Sequence, residues 1–462
     1  MFGIAWSAIR RHAMAQDKDQ FMLGGRSLGY VVTALSAHAA DMSDWLFLGL
    51  PGAIYFFGMF KCWVAISLVI GMFLSWQFIA GPLRIATQKY NSNTLSSYFQ
   101  QRFNDTSGLI SIASALIVVF FFTIYLAVGI KGAGYVLNLI FGLPYLLGCL
   151  LGSLIVIIYC VVGGFVAVAW VDAFQAIFLL AAIIATPLWA YFTLPHGVQD
   201  IINAAQSYNV SLSLLPTSGY DLLRILLGPC GWALGYFGMP HILLKFMGAR
   251  DPQEMYKSKY VGIIWQIVAL SASVAVGLVA LAYFPTFLDY PELIFIKMTL
   301  ELFTPFIAGL ILCGFLAATF STMDSQVLVL ASLMTDDLYK NFVNRQATRA
   351  QVLWIYRVSI VLSLLLAFII AADQNRSTIF GLVEYAWSGI GASFGPLVIL
   401  SLYSRSINKY GAMAGILTGG CVAALWRIIN WMPAGLEVNA IIPGFIAGFA
   451  AIYIISAVTA KN

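Results

Sequence analysis

The chain has 462 residues, of which 61% are hydrophobic and only 9% charged, with a formal net charge of +5. So little charge cannot cover a water-facing surface, which excludes a soluble fold. Apolar runs of about 20 residues recur throughout, long enough to cross a bilayer as helices, which excludes a β-barrel of alternating strands of about 10 residues. The net positive charge is no nucleic-acid footprint, because Lys and Arg cluster between the apolar runs as they do in cytoplasmic loops of membrane proteins.

Met1 to Ile9 is apolar but too short to span, and Arg10, Arg11 and His12 follow it directly. A signal peptide carries its charge before its apolar core, so 1–9 reads as a truncated first helix, followed by a loop to residue 27. Spans are then predicted near 28–55, 59–81, 109–139, 144–163, 166–194, 221–243, 260–284, 303–335, 352–372, 377–403, 411–432 and 440–459, giving twelve full spans and one fragment. Placing the 10–27 loop in the cytoplasm puts most of the Lys and Arg inside, among them Arg84, Lys89, Arg102, Lys245, Arg250, Lys257 and Lys259. The C-terminus is then cytoplasmic, and the chain is a multi-pass protein of the cell (inner, cytoplasmic) membrane.

Two spans are interrupted. Residues 36–45 (Ser-Ala-His-Ala-Ala-Asp-Met-Ser-Asp-Trp) place small and polar groups at membrane depth, and 228–240 combines Gly228-Pro229, Gly231, Gly235, Gly238 and Pro240. The two breaks lie five spans apart, and because five is odd the matching helices of two five-span units run in opposite directions. Unwound backbone survives in a membrane only where protein or a cavity covers it, so paired breaks point to a transport site. The longest polar stretches, 82–108, 195–220 and 335–351, are too short for a soluble domain. There is no P-loop, HExxH, GxSxG or Rossmann fingerprint, so neither an enzyme nor a cofactor is expected, and an ion gradient is the energy source.

An ionisable group near mid-membrane costs about 2.5–3.5 kcal/mol, so Asp41 requires a compensating partner. Either it caps a helix facing the cytoplasm, or Asp41 and Ser43 lie beside a bound cation to which freed carbonyls and hydroxyls offer hard oxygen ligands. Ala318, Ser321 and Thr322 fall at i, i+3 and i+4 on one helical face, so two hydroxyls and a carbonyl converge there; hydrogen bonds to the preceding turn are the bland alternative. Trp232 and Tyr236, with Gly235 between them and Pro240 beyond, offer aromatic faces to an ammonium and exposed amides to a carboxylate, or simply pack helices. Tyr125 is a weaker candidate among 33 Phe residues.

Asp172 reads as a helix cap at an inner turn, Glu384, Arg357 and Lys131 as paired or snorkelling groups, and Asp336-Asp337 as solvated. His38 is a possible proton relay. The six cysteines show no CxxC spacing and read as small buried hydrophobes.

From Phe21 to the C-terminus the chain resembles the sodium/solute symporter family, and within it the sodium/proline branch. The signatures are Leu23-Gly24-Gly25-Arg26-Ser27-Leu28-Gly29, Ala34-Leu35-Ser36-Ala37, Asp41-Met42-Ser43, Gly49-Leu50-Pro51-Gly52-Ala53, the run Gly231 to His241, Ser321-Thr322 and Tyr385-Ala386-Trp387. The resemblance implies an all-α, LeuT-type fold of 5+5 inverted repeats with peripheral helices. Residues 1–27 would be the truncated helix and loop, 28–194 the first repeat, 195–403 the second, and 404–462 the peripheral C-terminal helices.

By position it implies sodium bound by carbonyls of Ala39, Met42 and Ala318 and hydroxyls of Ser321 and Thr322. Asp41, Ser43 and Arg26 match sodium-coupling positions, and Trp232, Tyr236, Pro240 and Tyr125 match substrate positions, with Trp45 close by. The implied function is sodium-coupled symport of a small amino acid, proline first, with no nucleic acid or obligate protein partner. Alternatives are another small solute, proton coupling, or a solute sensor that does not transport. The sequence departs from the branch at His38 and Asp44, where the branch carries glycines, and at Lys61 and Lys131.

Overall fold

The computed structural model describes residues 23–162, 165–373, 378–429 and 436–460; the expected helix 1–9 and most of the loop after it lie outside the described residues. Every named element among the described residues is helical. Among the described residues, nine stretches are long and apolar enough to cross a membrane, from Trp45–Lys89 to Ile441–Thr459. The expectation of twelve differs partly because Trp45–Lys89 is one helical run of 45 residues, and because the apolar helix Tyr145–Ile158 falls short of the spanning length. Gly58 bends the chain inside that run at φ 77°, where a Cβ would stand 2.2 Å from the Ser211 carbonyl oxygen. Only glycine tolerates both that φ and that approach.

The first interrupted helix consists of α1 (Tyr30–Asp41), a widened turn at Trp45–Gly49 and α2 (Leu50–Phe57). Helical geometry fails at Met42, with φ −89° and ψ 81°. The Ser43 N–H, which in a continued helix would donate to Ala39, donates instead to the Asp41 carbonyl at 3.2 Å, and the Trp45 indole N–H joins it at 2.9 Å. The Ala39 carbonyl is thereby freed at the centre of the bundle, and freed carbonyls need new partners.

The second interrupted helix runs from α3 (Gly219–Leu227) through a 3-10 segment, Pro229–Phe237, to α4 (Pro240–Met247). Pro229 and Pro240 cannot donate a backbone hydrogen bond, and Met239 is extended at ψ 106°, so no continuous α-helix can form. A nine-residue 3-10 run is longer than its geometry usually sustains, which marks the segment as held by its surroundings.

Those surroundings include α5 (Cys62–Ser75) and α6 (Ile379–Tyr403), both packed on the 3-10 segment, while α1 packs on α4, α7 (Phe165–Thr193), α8 (Met255–Tyr283) and α9 (Pro305–Ser332). Close approach is achieved with glycine: a Cβ on Gly238 would lie 2.5 Å from the Gly395 nitrogen and 2.9 Å from the Gly391 carbonyl oxygen. Backbone cannot yield as a flexible side chain does, so Gly238→Ala is expected to destabilise the protein by about 1–3 kcal/mol. Gly309→Ala, whose added methyl meets nothing within 4 Å, serves as the control. Thermal unfolding followed by size-exclusion chromatography reads the difference, and equal midpoints for the two variants would refute it.

A further long helix, α10 (Leu109–Phe141), is set at its start by Asp105, whose carboxylate accepts from the N–H groups of Ser107 and Ile110, each at 3.0 Å. Partial burial of Asp105 opposes ionisation, but the hydrogen bond from the Ser107 hydroxyl, together with these two backbone bonds and the Lys409 charge, outweighs it and holds the carboxyl below its usual range. At the same end of the molecule Leu28 and Arg250 exchange backbone contacts across Gly248 and Ala249, sealing the start of α1 against the end of α4.

Three sequence expectations are corrected here. Asp172 lies inside α7 and is fully buried, so it caps nothing. Asp336 and Asp337 are not solvated, because α9 continues as a wider helix over Leu333–Val343; Asp336 pairs with Lys340, and Asp337 accepts from the Thr94 hydroxyl at 2.9 Å. Of the six cysteines, all free, Cys313 and Cys421 lie on the exposed outer surface, and only Cys149 and Cys160 are buried.

Candidate functional site

The freed Ala39 carbonyl is met by α9. Ser321 Oγ donates to it at 2.9 Å and Thr322 Oγ1 lies 3.4 Å away, while the same hydroxyls stand 2.9 and 3.4 Å from the Ala318 carbonyl oxygen. All four residues are buried. The i, i+3, i+4 spacing therefore brings four oxygens from two helices together, and Met42 forms the break beside them. Hydroxyl hydrogens rotate, so each oxygen can turn a lone pair toward a cation. A neutral set of hydroxyls and carbonyls fits a hard monovalent ion. Among the described residues no group of three or more His, Cys, Asp or Glu could hold a metal ion.

Beside this knot lies a second, more polar centre. Tyr236 donates its hydroxyl to Asp41 Oδ2 and accepts from Gln266 Nε2 at 2.9 Å. The Trp45 and Trp232 rings are 6.3 Å apart, Trp387 stacks on Trp232 at 6.3 Å, and its indole N–H donates to the Trp232 carbonyl at 2.9 Å. The Tyr236 ring meets Trp387 edge-on at 5.1 Å. Asp41 Oδ1, Ser43 Oγ, both Asp44 carboxylate oxygens, Tyr125 Oη and Gln266 Oε1 are all buried with no hydrogen-bond partner. Native interiors rarely leave buried polar groups unmet, so this concentration marks a place built to receive a polar group.

Trp232 also floors a cavity of about 290 Å³, whose rim carries Lys61, Arg224, Glu384, Glu437 and Asn439. Lys61 lies 3.9 Å from Glu437, and Asn439 donates to Glu384 at 3.1 Å. Of the second centre only Trp232 lines this cavity, while Asp41, Ser43, Tyr125 and Tyr236 lie buried behind it.

Of the residues singled out from sequence, Ala39, Met42, Ala318, Ser321 and Thr322 are assembled at or beside the first centre, and Asp41, Ser43, Trp45, Trp232, Tyr236 and Tyr125 at the second. Arg26 is elsewhere. It donates to the carbonyls of Thr87, Ser92 and Met247, each at 3.0 Å, about 14 Å of helix below Ala39. Pro240 starts α4 and borders a small separate gap with Thr94, Ser114 and Val118. His38 Nε2 accepts from the Trp76 indole at 3.4 Å, its Nδ1 meets no partner, and its ring packs between Trp76 and Trp265.

Sequence reasoning missed Gln266 and the use of Trp387. The Tyr-Ala-Trp signature at 385–387 pointed to the second, but a single amide in an apolar helix gave no signal for the first.

Two interrupted helices crossing in a bundle of apolar helices, with a neutral oxygen knot and a buried carboxylate at their breaks, define a multi-pass membrane transporter. The chain belongs to the sodium:solute symporter family, whose family model matches residues 21–419. It is 38% identical to the sodium/proline symporter of Escherichia coli (strain K12), over 98% of this chain and 89% of the other. It is 37% identical to the high-affinity proline transporter PutP of Bacillus subtilis (strain 168), over 99% and 96%. Among solved structures it superposes on a Na+-coupled sialic acid symporter in a substrate-bound outward-open state with a TM-score of 0.79, covering 99% and 96% of the two chains at 16% identity. A nucleobase-cation-symport-1 family transporter gives a TM-score of 0.58 at 14% identity. At these identities the likeness shows the fold alone, a LeuT-type helical fold.

Proposed function

We propose that this protein carries proline into the cell together with sodium by alternating access across the cytoplasmic membrane, with its C-terminus inside. The observation that carries the reading is the convergence of the Ser321 and Thr322 hydroxyls on the carbonyl that the α1 break releases. Sodium binds there, between Ala39, Met42, Ala318, Ser321 and Thr322, and so ties the break of α1 to α9. Asp41, two residues past Ala39, links that ion through Tyr236 to the solute, which lies among Trp45, Tyr125, Trp232 and Tyr236. Residues 28–194 and 195–403 form the two inverted repeats that rock about this point, 404–462 adds peripheral helices, and Arg26 latches the sealed end until both ligands are bound. Its relatives' names and the matched family support proline and sodium.

Each charge entering down the membrane potential contributes about 2.3 kcal/mol per 100 mV, enough to drive accumulation of one solute. Purified protein in proteoliposomes is expected to accumulate labelled proline only with an inward sodium gradient, and to stop when the gradient is collapsed. Uptake that is unaffected by sodium, or no uptake of proline against any gradient, would overturn the reading.

A further inference from the structure

The second centre has an unmatched charge. Asp44 is completely buried immediately after the α1 break, and neither carboxylate oxygen has a hydrogen-bond partner. The space it occupies is provided by α10: a Cβ on Gly132 would lie 2.1 Å from Asp44 Oδ2, so the carboxylate is pressed against bare backbone. Ser43 Oγ lies near enough to act on both Asp44 and Tyr125, although none of these buried atoms closes a hydrogen bond of ordinary geometry, and Tyr125 also feels the charges of Asp41 and Asp44. The other charged group acting on Asp44 is Glu292, an anion like itself. On Asp41 the Tyr236 hydroxyl is the polar partner, and no ammonium or guanidinium offsets it.

Two buried carboxylates thus flank the α1 break and both act on Tyr125, while the third, Glu292, has Lys131 as its counter-charge. A buried carboxylate stays charged only when a cation pairs with it, and otherwise takes up a proton. One sodium ion at the neutral knot beside Asp41 answers one of them.

We propose that Asp44, with Tyr125 and Ser43, is a second monovalent-cation subsite on the solute side of the break, so that each transport cycle holds two positive charges between Asp41 and Asp44. The occupant is either a second sodium ion or the ammonium group of the amino-acid substrate. This inference rests on the symport reading for the first sodium ion at the knot and for the substrate ammonium. The Ser43 and Tyr125 oxygens add neutral hard-oxygen ligands to the Asp44 carboxylate for either ion.

The experiment uses the full chain in detergent and in proteoliposomes, as wild type, Asp44→Asn and Asp44→Gly. Thermal stability is titrated with sodium chloride alone, with pyrrolidine hydrochloride (an amine lacking the carboxylate), and with proline; the charge moved per proline is read from reversal potentials. If the occupant is sodium, the solute-free sodium titration of the wild type is steeper than that of both variants, and charge per proline falls from about two to about one in Asp44→Asn. If it is the substrate ammonium, the sodium titrations coincide, pyrrolidine protects only the wild type, and proline binding weakens about tenfold or more in both variants. The proposal is overturned if both variants match the wild type in all three titrations. Absence of proline uptake with a sodium response that still depends on Asp44 rejects the symport reading alone.

Discussion

Replacing Ser321 and Thr322 together by alanine is expected to raise the sodium concentration for half-maximal proline uptake by about 100-fold, with each single replacement giving about tenfold. Each hydroxyl that meets a charged group is worth about 1.5–3 kcal/mol, and about 1.4 kcal/mol corresponds to a factor of ten. The fold loses little by the change, because alanine is the better helix former and the Ala39 and Ala318 carbonyls keep each other's company through ordered water or the ion itself. Ser153→Ala is the matched control: Ser153 Oγ donates only to the Cys149 carbonyl of its own helix, at 2.8 Å. Initial uptake rates measured across sodium concentrations, at saturating proline, give the answer. An unchanged sodium dependence in the double variant would remove the knot from the mechanism.

How much of this was readable before any coordinates follows from the range of the interactions involved. The helices were legible because each is an apolar run of membrane length, and the two breaks because glycine, proline and small polar residues cannot hide in lipid. The knot was half legible: Ala318, Ser321 and Thr322 share a face by simple periodicity, but that the face points at Ala39, 282 residues from Ser321, is tertiary information. Gln266 lies one turn of argument further away, since nothing in the sequence of α8 distinguishes an amide that meets Tyr236 from one that does not. Asp336 and Asp337 were misread because two acids after an apolar run look like a loop, whereas the helix widens and carries Asp337 onto Thr94. Asp172 was misread for the same reason in reverse. Its partner is 73 residues on, and a pair at that separation leaves no local trace.

That pair carries the largest stability effect expected for a single side chain here. Lys245 Nζ lies 2.7 Å from Asp172 Oδ2, with the two side chains 1% and 0% exposed. The same oxygen accepts from Ser36 Oγ of α1 at 3.1 Å and lies 3.4 Å from Ser325 Oγ of α9. Asp324, buried with both oxygens unpartnered, also feels the Lys245 charge, so one ammonium serves two anions. Lys245→Met leaves them without it, and breaking a buried pair from one side costs about 3–5 kcal/mol. Removing the Asp172 charge as well, as Lys245→Met with Asp172→Asn, is expected to restore part of that stability, because Asp324 alone then remains without its counter-charge. Transport separates two roles for the pair. Ser36 stands three residues before Ala39, and Ser325 three after Thr322, so the Asp172 carboxylate holds both halves of the sodium knot in register. The double variant should therefore be more stable than Lys245→Met yet require about tenfold more sodium than the wild type. Unfolding midpoints for the four members of the cycle, set beside sodium titrations of uptake, make the comparison. Recovery of stability and of sodium affinity together would mean that the pair only neutralises itself, and that α1 and α9 are aligned by packing alone.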